Sequence, residues 1–143
     1  MKLKELLRVL VASEMEDISV YSVEAELFGA DPACGEKILR LFERLAAEAR
    51  VSLLMLGRVG KQGTGFRQRK TETSRGVEAA FRGHITRAER SVALYCDLHK
   101  LIKKPEFKEE VKEAVTRGRE HLAVLKELQA VMLKTRAPGP APR

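Results

Sequence analysis

Four stretches of this chain carry apolar residues at intervals of three or four, and between the second and third lies a connection, Gly57 to Arg75, far longer than a turn between antiparallel helices needs. These two features restrict the fold more than composition does. The first stripe, over residues 3 to 28, runs through Leu7, Leu10, Val11, Glu14, Ile18, Tyr21, Ala25 and Phe28, with one acid among its members. After Gly29, Asp31 is placed as an N-cap and Pro32 as the first helical residue of a second stripe through Ile38, Leu41, Phe42, Leu45, Ala49, Ser52 and Leu56, with Gly57 as its stop. The third contains Val77, Phe81, His84, Ile85, Ala88, Val92, Tyr95 and Ile102, and Pro105 interrupts it. The fourth begins near Pro105, presents Val111, Val115, Gly118, Leu122, Leu125 and Met132, and ends before Pro138.

If the second and third helices run parallel, the connection has to travel the length of the bundle, about 30 Å for a twenty-residue helix, which an extended chain of this size spans easily. That length favours an all-α, ferritin-like four-helix bundle with a crossover between helices 2 and 3; a disordered insertion is the competing reading. One domain is expected over residues 1–135, with 57–75 as a basic crossover loop and the proline-rich 136–143 as a flexible tail. A chain of 143 residues, 44% of them hydrophobic, supports a sizeable core. Cys34 and Cys96 form no CxxC pair, which argues against a disulfide framework or a cysteine-rich metal site and suits a reducing cytoplasm. No secretory signal and no apolar segment of membrane-spanning length is read, so no membrane role is expected.

Glu14 precedes Tyr21 by seven residues, Ala88 precedes Tyr95 by the same interval, and Gly118 precedes His121 by three. With the helix order and the apolar phase, these landmarks resemble the rubrerythrin-like branch of the ferritin-like superfamily, from the first helix through about Leu133. That family's pattern sets an acid seven residues before Tyr on one helix and Glu-x-x-His on the next, twice over, around a shared dimetal site. The resemblance implies ligand positions at Glu14, at Ala49 and Ser52, at Ala88, and at Gly118 and His121; only Glu14 and His121 keep a ligating side chain. Ala, Ser and Gly cannot replace bridging carboxylates, so a standard dimetal centre is expected to be absent.

A shift of one residue in helix phase, as a π-bulge produces, brings Glu48 and Glu89 toward the seam. With Glu14 and His121 they make a carboxylate–histidine set suited to a single iron, manganese or zinc ion. Without a metal, Glu14 is expected to pair with His121 or another donor, because an acid alone in an apolar bundle holds its proton or destabilises the fold. His84 and His99 lie one turn before Ala88 and one turn after Tyr95; His84, Tyr21 and Tyr95 are read as satisfied polar members of the core. The small residues Ala49, Ser52, Ala88 and Gly118 allow either a cavity or close helix packing.

Charge is concentrated in the connection. Residues 58 to 75 hold Arg58, Lys61, Arg67, Arg69, Lys70 and Arg75 against Glu72, which is +5 of the chain's net +7. Arg67, Arg69 and Lys70, with Phe66 beside them, are the candidate contacts to a nucleic acid or an acidic protein, and a solvated crossover explains the same charges without a partner. The reading as a whole is a noncatalytic ferritin-like scaffold or interaction protein, a homodimer without a cofactor. A remodelled metal-dependent oxidoreductase and a nucleic-acid-associated protein are the alternatives.

Overall fold

The computed structural model describes residues 1–32, 34–61, 66–68, 70–72 and 74–136. Among them the chain forms four α-helices and no strand: α1 (Leu3–Phe28), α2 (Gly35–Gly60), α3 (Val77–Leu101) and α4 (Pro105–Arg136). Residues 137–143 of the expected tail lie outside the described residues, as does Arg69 of the expected loop contacts. No described helix is long and apolar enough to cross a membrane.

Two apolar clusters set the helix directions. At one end Tyr21, Ala25 and Phe28 from late α1 pack with Ile38, Leu41 and Phe42 from early α2, Val77, Ala80 and Phe81 from early α3, and Leu125, Leu128 and Met132 from late α4. At the other end Leu6 and Leu10 from early α1 meet Met55 and Leu56 from late α2, Tyr95 and Leu98 from late α3, and Val111, Ala114 and Val115 from early α4. Thus α2 and α3 run parallel to each other and antiparallel to α1 and α4, and the connection between α2 and α3 is a crossover. Helix α1 packs along α2 and against α3, and α4 packs along α3 and against α2, with α1–α4 and α2–α3 on the diagonals. This is a four-helix bundle consistent with the broad ferritin-like fold class. Side chains such as Phe42, Phe81, Leu10 and Leu125 are fully buried in the two end layers, each worth roughly 1.5–3 kcal/mol of removal from water.

Several boundaries move from the sequence expectation. Helix α2 begins at Gly35 rather than Pro32, because Asp31 is used one turn earlier: its Oδ1 accepts from the Cys34 amide at 2.9 Å and its carbonyl accepts from the Gly35 amide at 2.8 Å. Gly57 does not stop the helix; it is buried within α2, which continues to Gly60 and ends where Lys61 enters the left-handed region at φ 54°. Pro105 opens α4 as expected, where its missing amide hydrogen removes no helical bond. The Lys108 Nζ donates to the His99 carbonyl at 3.0 Å and closes the last turn of α3.

The described part of the crossover lies against α1 on two sides. Phe66 packs with Met15, Ile18, Ala49 and Leu53 in the α1–α2 groove, with the Arg50 guanidinium over its ring at 4.6 Å. Lys70, Thr71, Glu72 and Ser74 line the α1–α3 groove beside Ala12, Glu16, Val20 and Glu24. This coverage accounts for burial of Met15 and Val20, which fall outside the apolar stripe of α1.

The α1–α2 turn depends on close backbone approach. A Cβ on Gly35 would lie 2.2 Å from the Gly29 carbonyl oxygen, a contact that only backbone movement relieves. Gly35→Ala is therefore expected to lower stability by about 1–3 kcal/mol, despite the better helix propensity of alanine, measured as a lower urea midpoint at unchanged slope. An unchanged or raised midpoint would show that the turn opens freely.

Candidate functional site

Between the two apolar end layers the bundle carries a polar one. Glu14, Asp17, Tyr21 and Glu24 follow one another at three, four and three residues on α1, so all share the face turned toward the bundle interior. Glu14, Asp17, Glu48, Ser52, Tyr95, Arg117 and His121 surround a cavity of about 50 Å³, with Ala49, Ala88, Ala114 and Gly118 making its small-residue walls. The positions expected to face the seam, Glu14, Ala49, Ser52, Ala88, Gly118 and His121, all line this one space. Gly118 also answers a packing need: a Cβ there would come within 2.9 Å of Val92 Cγ2, so α3 and α4 approach closely at this level.

The polar side chains partner one another in a pattern that sequence reasoning misses. Arg87 on α3, one residue before Ala88, pairs with Asp17. Arg117 on α4, one residue before Gly118, donates from Nη2 to the Ser52 hydroxyl at 3.2 Å. His121 donates from Nε2 to Glu48, whose other oxygen accepts from Arg44 Nε at 3.4 Å, so both oxygens of that carboxylate are engaged. The expected Glu14–His121 pair is not formed. Glu14 instead lies with Tyr95, Ser52 and Arg117, and the Tyr95 hydroxyl, though near enough to influence Glu14, makes no hydrogen bond of regular geometry. Among the described residues, Arg117 has no carboxylate within ion-pair distance. Helix phase is regular through this region, and Glu48 reaches the cavity without a π-bulge; Glu89 is exposed on α3 and does not line it.

Burial dominates the ionisation of this layer. It raises the Glu14 carboxyl from near 4.5 to about 8, reinforced by Asp17 and opposed by Tyr95, Ser52 and Arg117. Burial also pushes Asp17 upward, with the Arg87 guanidinium acting against it; since arginine keeps its proton, the two stand as an ion pair. For Arg87 itself, burial works to lower the pKa and is outweighed, Asp17 first, so its pKa lies above the ordinary value. His121 is lowered by burial, while Glu48 pulls the other way. Tyr95 and Tyr21 are raised, first by burial, and remain neutral phenols.

A second polar pair lies one layer away. His84 Nε2 is 2.5 Å from Glu24 Oε1, both side chains almost fully buried, with the imidazole 4.6 Å from the Tyr21 ring and edge-on to Phe42 at 5.3 Å. The pair lines the α1–α3 groove of about 510 Å³, together with Lys70, Thr71, Glu72 and Ser74. His99 lines neither this groove nor the central cavity. On the crossover, Arg67 and Lys70 are exposed, whereas the Phe66 ring is packed against α1 and α2 instead of free to stack on a base.

The donor set does not fit a dimetal centre. Asp17 is paired with Arg87, Glu48 with Arg44 and His121, and burial favours the protonated form of Glu14, while the Arg117 guanidinium stands at the cavity wall where added cations would be repelled. Among the described residues no group of three or more His, Cys, Asp or Glu side chains is arranged to hold a metal ion. Compared with known proteins, the chain matches no family model, no curated protein and no solved structure.

The raised Glu14 pKa has a definite sign for stability. Its carboxyl binds a proton more tightly in the folded chain than in the unfolded one, so its contribution is full below about pH 4.5 and is lost as pH rises toward about 8. Glu14→Gln is expected to remove that loss, raising stability relative to the parent by a few kcal/mol at pH 8 and much less at pH 5, since each tenfold difference in proton affinity between the folded and unfolded chain is worth about 1.4 kcal/mol. Urea unfolding at the two pH values measures this, and an equal effect at both would contradict a buried, proton-holding Glu14.

Proposed function

We propose that this chain is a noncatalytic scaffold or interaction protein of ferritin-like architecture, related to the rubrerythrin-like branch, in which arginine side chains take the electrostatic place of metal ions. The observation that carries this reading is the position of Arg87 and Arg117. Each directly precedes a small residue that lines the cavity, Ala88 and Gly118, and each brings a fixed positive charge to the layer that holds Glu14 and Asp17. A cation delivered by the protein itself stabilises buried acids without an exchangeable ion or an open coordination position, and so supports structure without redox chemistry. A homodimer belongs to the same reading, with sedimentation as its measurement.

Metal stoichiometry after exposure to iron, manganese and zinc is expected to stay well below one ion per chain, with no oxygen-dependent iron oxidation. Two bound ions with turnover would overturn the proposal. One ion lost on Glu48→Ala and His121→Ala substitution would favour the remodelled metal-binding oxidoreductase.

A second reading rests on the exposed charges of the crossover. Arg67 and Lys70 are exposed, Lys70 at the α1–α3 groove, and with Arg69 they suit an acidic protein or a phosphate backbone, while the packing of Phe66 leaves electrostatics as the main source of affinity. Fluorescence anisotropy with single-stranded RNA, single-stranded DNA and duplex DNA tests it. Binding that weakens with salt and falls on joint neutralisation of Arg67, Arg69 and Lys70 supports this role; no binding at low salt rejects the nucleic-acid partner.

A further inference from the structure

The outward sides of α2 and α4 carry opposite charge in one shared spacing. On α2, Arg40, Arg44, Ala47, Val51, Leu54 and Arg58 follow one another at alternating intervals of four and three, all exposed, and Lys61 continues the row. From Arg44 to Lys61 the exposed positions of this segment hold no acid. On α4, Glu109, Glu113, Thr116, Glu120, Ala123 and Glu127 keep the same alternation, all exposed, with Glu106 ahead of them. The basic residues of α4 stand on another side: Lys112, Arg119 and Lys126 continue the row of Lys108, whose side chain reaches α3. Alternation of three and four holds a row in line along one side of a helix, the spacing by which two helices pack along a seam.

Both rows border the same side of the bundle. Arg58 pairs with Glu110 at 2.9 Å, Arg117 with Ser52 and His121 with Glu48, so residues 58, 52 and 48 of α2 are level with 110, 117 and 121 of the antiparallel α4. Beside this line of bridges the α4 row borders a shallow groove of about 350 Å³, between Glu109, Lys112, Glu113, Thr116, Arg117 and Glu120.

The chain itself meets these charges only in part. Arg40, Arg44 and Arg58 each touch one carboxylate, yet their side chains stay 78%, 49% and 55% exposed, and a guanidinium has donors for a second acid. Among the described residues Glu106, Glu109, Glu113, Glu120 and Glu127 form no ion pair. Val51 and Leu54 are 51% and 61% exposed between the basic ends of the α2 row.

We propose that this α2–α4 side is the interface between two copies of the chain, with α2 of each copy laid along α4 of the other. The inference rests on the homodimer reading and assigns its face. An acidic protein of another kind would answer the α2 row and leave the α4 acids unmet; a second copy answers both. A two-fold axis parallel to the helices brings α2 onto the partner's α4 at the level the two helices already share, and again antiparallel. Arg40 then stands opposite the partner's Glu127, Arg58 opposite the partner's Glu109 and Lys61 opposite the partner's Glu106. Between them Val51 and Leu54 come over the partner's groove at Thr116 and Glu113. The contact is made twice, and the assembly closes as a dimer.

Sedimentation equilibrium of the full chain reads the association, with circular dichroism as the check on helicity. A dimer is expected at low salt, weakening as ionic strength rises. Arg40→Glu with Lys61→Glu, and separately Glu106→Lys with Glu127→Lys, are each expected to keep the helices and to weaken the dimer roughly tenfold or more, since like charges then face each other across the seam. An equimolar mixture of the two variants is expected to recover the parent's affinity: one contact of the mixed dimer has both charges reversed and the other is unaltered. A dimer indifferent to both double substitutions, or a mixture no tighter than its components, would overturn this interface and leave the homodimer standing. A monomeric parent chain at low salt would overturn the two together.

Discussion

A carboxyl group carried into a helix bundle is met by a cation or another hydrogen-bonding partner, or keeps its proton, and α1 brings three acids, Glu14, Asp17 and Glu24, to its inward face. Each finds a different solution. Asp17 takes the Arg87 guanidinium, Glu24 takes His84, and Glu14 has burial that favours its neutral form beside Ser52 and Tyr95. These pairs tie α1 to α3 across the seam, where the apolar contact is thinner than along the α1–α2 hairpin. The two end clusters supply most of the apolar burial, and the polar layer sets which residues of α1 and α3 stand opposite one another. Loss of one partner would leave the other buried and unmatched, which costs more than the pair contributes.

The crossover follows from the same arrangement. With α2 and α3 parallel on a diagonal, the connecting chain has to pass the outside of the bundle, and its described residues lie over α1. Phe66 docks into one groove of α1, and Lys70, Thr71, Glu72 and Ser74 line the other. The basic side chain of Arg67 is exposed, and that of Lys70 is exposed at the edge of the α1–α3 groove. Concentrated positive charge here is thus compatible with a structural strap and remains accessible to an acidic partner.

Much of this is legible in the sequence, for physical reasons that also mark where legibility ends. Periodicity of three and four identifies the inward face, which is why Ala49, Ser52, Ala88 and Gly118 line one cavity, and the length of the central connection leads to the parallel placement of α2 and α3. Asp17 and Glu24 are on that face but interrupt it with charge, so a search for apolar repeats passes over them. Arg87 and Arg117 sit beside the inward positions, and it is the reach of a long side chain that brings their charged ends to the layer. The pairing of His121 with Glu48 instead of Glu14 depends on helix rotation and spacing that residue intervals do not encode. Met15 and Val20 are buried by the crossover, a contact with no periodic signal.

The most direct test of arginine in place of metal is a crystal structure of the protein equilibrated with iron, manganese and zinc, with anomalous scattering recorded at each absorption edge. No metal peak is expected in the central cavity, with Arg87 on Asp17 and Arg117 on Ser52. A metal ion bound there by Glu14, Glu48 and His121, with the two guanidinium groups turned away, would contradict it.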